Sequence, residues 1–322
     1  MDTILCCDWG TSSLRLRLVE TTNLEIISGE NSDRGIASTF AQWQQQGSQD
    51  RIGFFLQVIE DSVRDLERKL QSSLRGIPIV ISGMAASSIG ICELPYAQVP
   101  FAVDGSSLVL HPIGVPLHFE HPVWLVSGVR DGFEVMRGEE TQLVGCMELS
   151  PDNQLFIFPG THSKHVAVEG GMAVSINTFM TGEFFSLLVQ KSILQSSVEV
   201  HNEFHEDIHV NRFLLGVAAS GEGNILGTAF KVRMNDVLRK MEKKENYSYL
   251  SGLLIGTELR GSPAARHSRI TVCCGSSLAQ LYMLALEKLE LMDIAGLRLA
   301  DEAGDAFVRG QVRIFNHSRL LQ

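Results

Sequence analysis

Asp8, Gly10, Thr11, Ser12 and Ser13 crowd into the segment Cys7-Asp8-Trp9-Gly10-Thr11-Ser12-Ser13-Leu14-Arg15. A carboxylate at a strand end orients hydrated Mg²⁺, a glycine lets backbone N–H groups approach anionic oxygens, and short hydroxyls add donors where larger side chains would crowd a phosphate. The combination points to phosphoryl transfer. It is neither a Walker A loop, which needs a Gly-rich run ending in Lys and Ser or Thr before a helix, nor a GxGxxG dinucleotide fingerprint. An ordinary hairpin turn is the competing reading of this segment alone.

Two later segments follow a related logic. Leu155-Phe156-Ile157-Phe158 runs into Pro159-Gly160-Thr161-His162-Ser163-Lys164-His165, after which Val166 and Val168 alternate as in a strand. Gly160 and Thr161 suit a second phosphate turn, and Lys164 is a point charge for phosphoryl oxygens or a solvated turn lysine. His162 and His165 read as turn and strand residues rather than metal ligands, because no local Cys/His/Asp spacing completes a zinc site. Near the carboxyl end, Arg269 to Cys274 reads as a strand, Gly275-Ser276-Ser277 as its turn, and Leu278, Leu281, Tyr282, Ala285, Leu289 and Met292 as an apolar helix face. That helix start suits the nucleoside end of a nucleotide. Glycine sites at the beginning, middle and end favour a kinase over three unrelated turns.

The elements that must carry these turns alternate between strand and helix, as in an α/β protein. Ile4 to Cys7 enters the first turn, and Leu14, Leu16 and Leu18 alternate with Arg15 and Arg17 beyond it. Ile52, Phe55, Ile59, Val63, Leu66 and Leu70 recur at helical spacing before a strand at Pro78 to Ile81. The small-residue loop Ser82 to Gly90 follows, open to a close ligand or to a plain tight connection. Val123 to Val126 is a further strand. The polar segment Arg130 to Gln142 then offers Glu139 and Glu140 as helix-start acids, with Arg137 beside them.

The chain has 322 residues, 44% hydrophobic and 20% charged, which suits one large or two medium compact domains. A net charge of -10 disfavours a broad nucleic-acid surface but allows a local cationic pocket. The basic run from Lys231 to Lys244 is interrupted by acids and reads as a solvated helix face and loop. Six cysteines form neither a disulfide framework nor a metal set, which suits a reducing compartment. With no secretory order at the amino terminus and no membrane-length apolar run, a cytoplasmic enzyme without nucleic-acid or membrane partners is expected. Its oligomeric state stays open.

Several segments carry a family resemblance over nearly the whole chain: Asp8 to Arg15, Gly83 to Gly90, Met136-Arg137-Gly138-Glu139-Glu140-Thr141-Gln142-Leu143, Pro159 to Lys164, Phe179 to Phe184 and, more loosely, Ser248 to Gly256. They resemble the 2-dehydro-3-deoxygalactonokinase family, within the wider actin-like and hexokinase-like ATPase fold. The Met136 and Pro159 motifs are the specific ones. Relatives often carry an aromatic residue just after the Gly83 to Gly90 loop, where this chain has Ile91 and Cys92.

The resemblance implies an α/β fold of two RNase-H-like domains around a nucleotide-binding cleft, 1–150 and 151–322. The boundary is expected near Pro151, and the segment beyond about Ala303 is open to crossing back. It implies ATP and Mg²⁺ as cofactors, a small sugar acid as substrate, and phosphorylation of 2-dehydro-3-deoxy-D-galactonate at its 6-hydroxyl. A kinase for a related 2-keto-3-deoxy sugar acid and a nucleotide-gated binding protein are the alternatives. Asp8 is assigned to Mg²⁺, and Gly10, Thr11, Ser12, Gly160, Thr161 and Lys164 to the phosphates. Gly275 and Ser276 are assigned to the nucleoside. Glu139, Glu140 and Glu183 are candidates for the proton acceptor, Glu139 first. Arg137, with its planar guanidinium, is expected to bind the substrate carboxylate, with a salt bridge to a neighbouring acid as its competing use. Glu140 and Ser87 are further substrate contacts.

Overall fold

The computed structural model describes residues 3–147, 153–204, 206–262, 269–291, 297–299 and 303–320, of which 276, 277, 297–299, 303–305, 319 and 320 are described by backbone alone. The expected boundary at Pro151 and the helix-face residue Met292 lie outside the described residues. Two compact units emerge, the first comprising Met1–Ser150, Gly171–Ser175 and Glu302–Gln322, the second Pro151–Gly170 and Ile176–Asp301.

In the first unit, β1 (Thr3–Trp9) pairs antiparallel with β2 (Leu14–Glu20), and β2 with β3 (Ile26–Ser32). Leu14, Leu16 and Leu18 are buried while Arg15 is exposed, so β2 has the apolar face that its alternation predicts. Two helices follow, α1 (Ile36–Gln46) and α2 (Arg51–Leu70). Helix α2 starts where the Asp50 carboxylate accepts the Gly53 N–H at 2.8 Å. It buries Phe55, Ile59, Val63 and Leu66 on one face, each contributing roughly 1.5–3 kcal/mol. The Phe55 ring lies 5.6 Å from that of Trp9, so α2 packs on the strand that carries Asp8.

Strand β4 (Ile79–Gly83) runs parallel to β1 and ends in a 3₁₀ turn, Met84–Ala86. Short strands β5 (Ala97–Gln98) and β6 (Phe101–Ala102) precede β7 (Leu110–Ile113) and β8 (Val123–Val126), which complete a sheet of order β3-β2-β1-β4-β8-β7. The polar segment after it forms the antiparallel pair β9 (Val129–Asp131) and β10 (Glu134–Met136), which leads into α3 (Glu139–Cys146) at the predicted acids.

The second unit repeats the plan. Strand β11 (Gln154–Phe158), buried throughout, turns into antiparallel β12 (Ser163–Glu169), followed by β13 (Met172–Phe179). Helices α4 (Thr181–Lys191), α5 (Asp207–Ala219), α6 (Ile225–Val237) and α7 (Lys243–Arg260) come next. Strand β14 (Arg269–Val272) runs parallel to β11, and α8 (Ser276–Lys288) and β15 (Leu297–Leu299) complete the order β15-β14-β11-β12-β13. Met172 and Ala173, which belong to the first unit, pair antiparallel with β6. In the basic run, Lys231 pairs with Glu222 at 2.6 Å and Arg233 with Asp236 at 3.0 Å. The last helix, α9 (Ala303–Leu320), belongs to the first unit and packs along α3. The fold is thus α/β, each unit carrying an antiparallel pair joined by a Gly-Thr turn beside a parallel strand. Among the described residues, no helix is long and apolar enough to cross a membrane.

Candidate active site

Asp8 sits near the end of β1, opposite Arg15 in the ladder, and its Oδ2 accepts from Arg15 Nη1 at 3.1 Å. Burial pushes the Asp8 carboxyl up to about 6, the Arg15 and Arg17 guanidiniums pull it back, and the Glu139 charge adds to the rise. The following turn is held from two sides. Gly10 N–H donates to Ser13 O at 2.9 Å, while the carbonyls of Gly10 and Thr11 accept from the Ile36 and Ala37 N–H groups that open α1. Helix α1 thereby satisfies two of its orphan donors on the turn, leaving the Thr11 and Ser12 side chains exposed.

Two glycines bring the next elements to Asp8. Gly83 has φ +90°, and a Cβ there would stand 2.8 Å from Trp9 O and 3.6 Å from Asp8 Oδ1. Gly138, at φ +107°, would place a Cβ 3.4 Å from Gly83 Cα. Glu139 follows at once. It is half-buried, accepts the Arg137 N–H at 3.1 Å, and acts electrostatically on both Asp8 and Glu140. The geometry therefore unites Asp8 with Glu139, over 100 residues apart in the chain.

Glu140 has a different position from the one expected. It is buried, both oxygens accept the Gly138 N–H at 2.9 and 2.7 Å, and Thr141 Oγ1 adds a bond at 3.1 Å. Burial, with the Glu139 charge behind it, pushes its carboxyl up to about 8. Enclosed in the start of α3, it holds the Gly138 turn instead of facing a substrate.

Arg137 likewise turns inward. Nε donates to Tyr96 Oη at 2.9 Å, Nη1 to Ala86 O, and Nη2 to Leu94 O at 3.3 Å, while the guanidinium lies 4.1 Å from the Tyr96 ring centroid. Each of its three nitrogens donates to the protein, so Arg137 anchors the 86–96 loop. Ser87, also expected at the substrate, is buried, and its hydroxyl donates to Met84 O at 2.7 Å.

In the second unit, Gly160 and Thr161 are exposed at the β11–β12 turn. Helix α4 begins against them: Glu183 N–H donates to Thr161 O at 3.0 Å, and a Cβ on Gly182 would fall 2.4 Å from Gly160 O. Only a glycine admits that approach. His162 Nε2 meets Glu183 Oε2 at 2.5 Å. Lys164 is buried, and its Nζ donates to the His162 carbonyl at 3.2 Å, so it braces the turn rather than standing in solvent. Below lies a buried network that the sequence did not reveal. Ser163 Oγ meets Tyr282 Oη at 3.2 Å, Tyr282 donates to Glu258 Oε2 at 2.8 Å, and His165 bridges Glu258 and Ser262 at 2.8 Å each.

Beside this turn opens a cavity of about 750 Å³, lined among others by Gly160, Thr161, Phe185, His201, Tyr247 and Tyr282. Its size and mixed apolar-polar wall suit a nucleoside. Helix α8 contributes through Leu278, Gln280 and Leu281. Gly275 caps that helix in an extended conformation and accepts the Ala279 N–H at 3.0 Å, while the Ser276 side chain lies outside the described residues. His201, Phe204 and Tyr247 form an aromatic group with centroid separations of 4.8, 5.3 and 6.1 Å. No motif flags these residues, because they meet only in the folded wall.

His201, Glu203 and His209 bring potential ligand atoms within 4.8 Å of one another. The Lys244 ammonium already holds both Glu203 oxygens at 2.9 and 3.0 Å, and both ring nitrogens of His201 are engaged, by the Glu203 N–H and the Ser248 hydroxyl. A cation would have to displace one of these bonds at His201 and one at Glu203, so the cluster reads as a hydrogen-bonded wall. Burial and the neighbouring His209 hold the His201 imidazolium form down.

A family model described as 2-keto-3-deoxy-galactonokinase matches residues 8–314. The chain is 30% identical over 249 residues to the 2-dehydro-3-deoxygalactonokinase of Escherichia coli (strain K12), a match spanning 75% of this chain and 79% of that one. It is also similar to the crystal structure of a candidate 2-dehydro-3-deoxygalactonokinase from Sinorhizobium meliloti, with 26% identity, a TM-score of 0.77 and 99% of both chains covered. Component A of the (R)-2-hydroxyglutaryl-CoA dehydratase of Acidaminococcus fermentans, 10% identical with a TM-score of 0.51 over 100% of both chains, shares the fold alone.

Proposed function

The chain belongs to the 2-keto-3-deoxy-galactonokinase family and is a sugar-acid kinase that uses ATP; on that premise we propose that it phosphorylates 2-dehydro-3-deoxy-D-galactonate at the 6-hydroxyl, with Asp8 holding Mg²⁺ and Glu139 accepting the proton. The observation that supports this reading is the approach of the Gly138 turn, which Glu139 follows, to Gly83 beside Asp8, with the Glu139 charge helping to raise the Asp8 carboxyl. Glu139 is half-buried and receives the hydroxyl proton as the phosphoryl group leaves ATP.

The Asp8 carboxylate fits a hydrated Mg²⁺. It is ionised above about 6, its side chain keeps 16% exposure, and a small hard cation asks for one or two carboxylates plus phosphate oxygens. Bound there, Mg²⁺ would neutralise charge developing on the phosphoryl oxygens. Gly10, Thr11 and Ser12 form one proposed phosphate turn, and Gly160 and Thr161 another. The 750 Å³ cavity takes the nucleoside, with Tyr247 and His201 against the base. Lys164 and Arg137 stiffen the turn and loop that carry these contacts. A cytoplasmic setting agrees with the ATP requirement and with the unpatterned cysteines.

The test is an ATP-coupled assay over six-carbon 2-keto-3-deoxy sugar acids, including galactonate and gluconate stereoisomers, with the product's phosphoester located by ³¹P–¹H correlation. Preferred turnover of the galactonate isomer to the 6-phosphate is expected. Preference for another stereoisomer, or phosphate on another carbon, would replace the assignment.

A further inference from the structure

Helix α9 sends one polar side chain into the back of the Asp8 site. Gln311 is 1% exposed, and its Nε2 donates to the Cys7 carbonyl at 2.7 Å and to the Ser82 hydroxyl at 2.8 Å. Cys7 immediately precedes Asp8, Ser82 immediately precedes Gly83, and Asp8 and Ser82 are partners in the parallel register of β1 and β4. A single amide therefore ties the two strands at the level where they deliver Asp8 and the Gly83 turn.

The same helix holds the element that carries Glu139. Arg313 Nη1 donates to Val144 O at 2.5 Å and to Met147 O at 3.1 Å, and Arg309 Nε to Gly145 O at 3.0 Å. These bonds satisfy carbonyls at the end of α3 that have no intrahelical partner. Gly310 lets the two helices touch, since a Cβ there would fall 1.9 Å from Thr141 O. Helix α9 thus grips β1, β4 and α3 together.

Gln311 is an odd choice for packing alone. Its Oε1 is buried with no hydrogen-bond partner among the described residues. A buried acceptor left unpaired costs about 1–3 kcal/mol, which Met, of similar volume, would avoid. The amide is explained by its two donated bonds.

We propose that Gln311 is a positioning residue for phosphoryl transfer, locking the strand ends so that the Asp8 carboxylate and the Glu139 carboxylate keep their working separation. The inference rests on the roles given above to Asp8 and Glu139. Neither bond reaches a substrate, so the effect belongs to the chemical step rather than to binding.

The experiment compares Gln311→Met, Ser82→Ala and Asp8→Asn with wild type for kcat, both KM values and the thermal unfolding midpoint. Displacing a catalytic group by about 1 Å can cost about 10²-fold in rate, so Gln311→Met is expected to lower kcat by about 10- to 100-fold. Both KM values should stay within about twofold, with the unfolding midpoint nearly unchanged. Ser82→Ala, which removes one of the two bonds, should show a smaller fall of the same kind, and it decides the matter if Gln311→Met does not fold. Wild-type kcat in Gln311→Met, or in Ser82→Ala where that variant decides, overturns the proposal. So does a loss of activity that only tracks a loss of folded protein. Should Asp8→Asn keep wild-type turnover, the assignment of Asp8 itself fails; with Asp8→Asn inactive and Gln311→Met normal, only the positioning role falls.

Discussion

His162 and Glu183 close on each other beside the Gly160–Thr161 turn, imidazole Nε2 to carboxylate Oε2 at 2.5 Å. The pairing commits one oxygen of Glu183 to a neighbour on the β11–β12 turn, whereas the Glu139 charge acts on Asp8. Of the three acids that the sequence left in competition for the base, Glu139 and Glu183 therefore have different surroundings.

Glu139→Gln should lower kcat by about 10²- to 10⁴-fold, the usual contribution of a general base, while the KM for ATP changes little. Glu183→Gln should act mainly on the ATP KM, by loosening His162 and the start of α4. Steady-state kinetics of the two variants decides the point: if Glu183→Gln abolishes turnover and Glu139→Gln does not, the base is Glu183.

Asp8 must be ionised to hold a cation, and its carboxyl is raised to about 6. Activity should therefore fall as pH drops through about 6. Because Mg²⁺ favours the ionised form, raising its concentration should move this acid limb to lower pH. A kcat/KM profile measured at low and high Mg²⁺ that shows no such movement would separate Asp8 from the metal.

Glu140 makes a separate prediction about stability. Its carboxyl is raised to about 8 in the folded chain from an ordinary value of 4.5. Between these values the folded state holds a proton that the unfolded state has released, so wild-type stability falls as pH rises through the window and levels off above it. Glu140→Gln lacks this titration and keeps an oxygen for the Gly138 N–H. Denaturant midpoints taken at pH 5 and pH 8 should converge or cross in favour of Glu140→Gln at the higher pH. Parallel behaviour of the two proteins would refute the assignment.

Arg137→Leu should destabilise the first unit, because the Leu94 carbonyl loses the Arg137 donor while the Ala86 carbonyl keeps only the Leu94 N–H, and an unpaired buried acceptor costs about 1–3 kcal/mol. Arg137→Lys should recover part of that stability, a point charge replacing a three-way anchor. A raised sugar-acid KM at wild-type stability in Arg137→Leu would instead return Arg137 to the substrate carboxylate.

Local chemistry made much of this protein legible in its sequence. The Leu14, Leu16 and Leu18 alternation, the helical spacing from Phe55 to Leu66 and the strand-turn-helix around Gly275 each depend on neighbours a few residues away, and each stands in the structure, although the last strand ends at Val272 rather than Cys274 and its helix at Lys288, before Leu289. The Gly-Thr turns are legible for the same reason. What a polar side chain does once folded is a different matter, because its partners come from distant segments. Arg137 donates to Tyr96, Ala86 and Leu94, none of them near it in the chain, and burial separates Glu140, a helix-start brace, from its neighbour Glu139. Gln311 carries no sequence signal at all, since its role exists only where α9 crosses β1 and β4, 304 residues from Cys7 in the chain. The amino-acid order determined where the Gly-Thr turns fall; only tertiary packing decided which acids and guanidiniums the protein itself would engage.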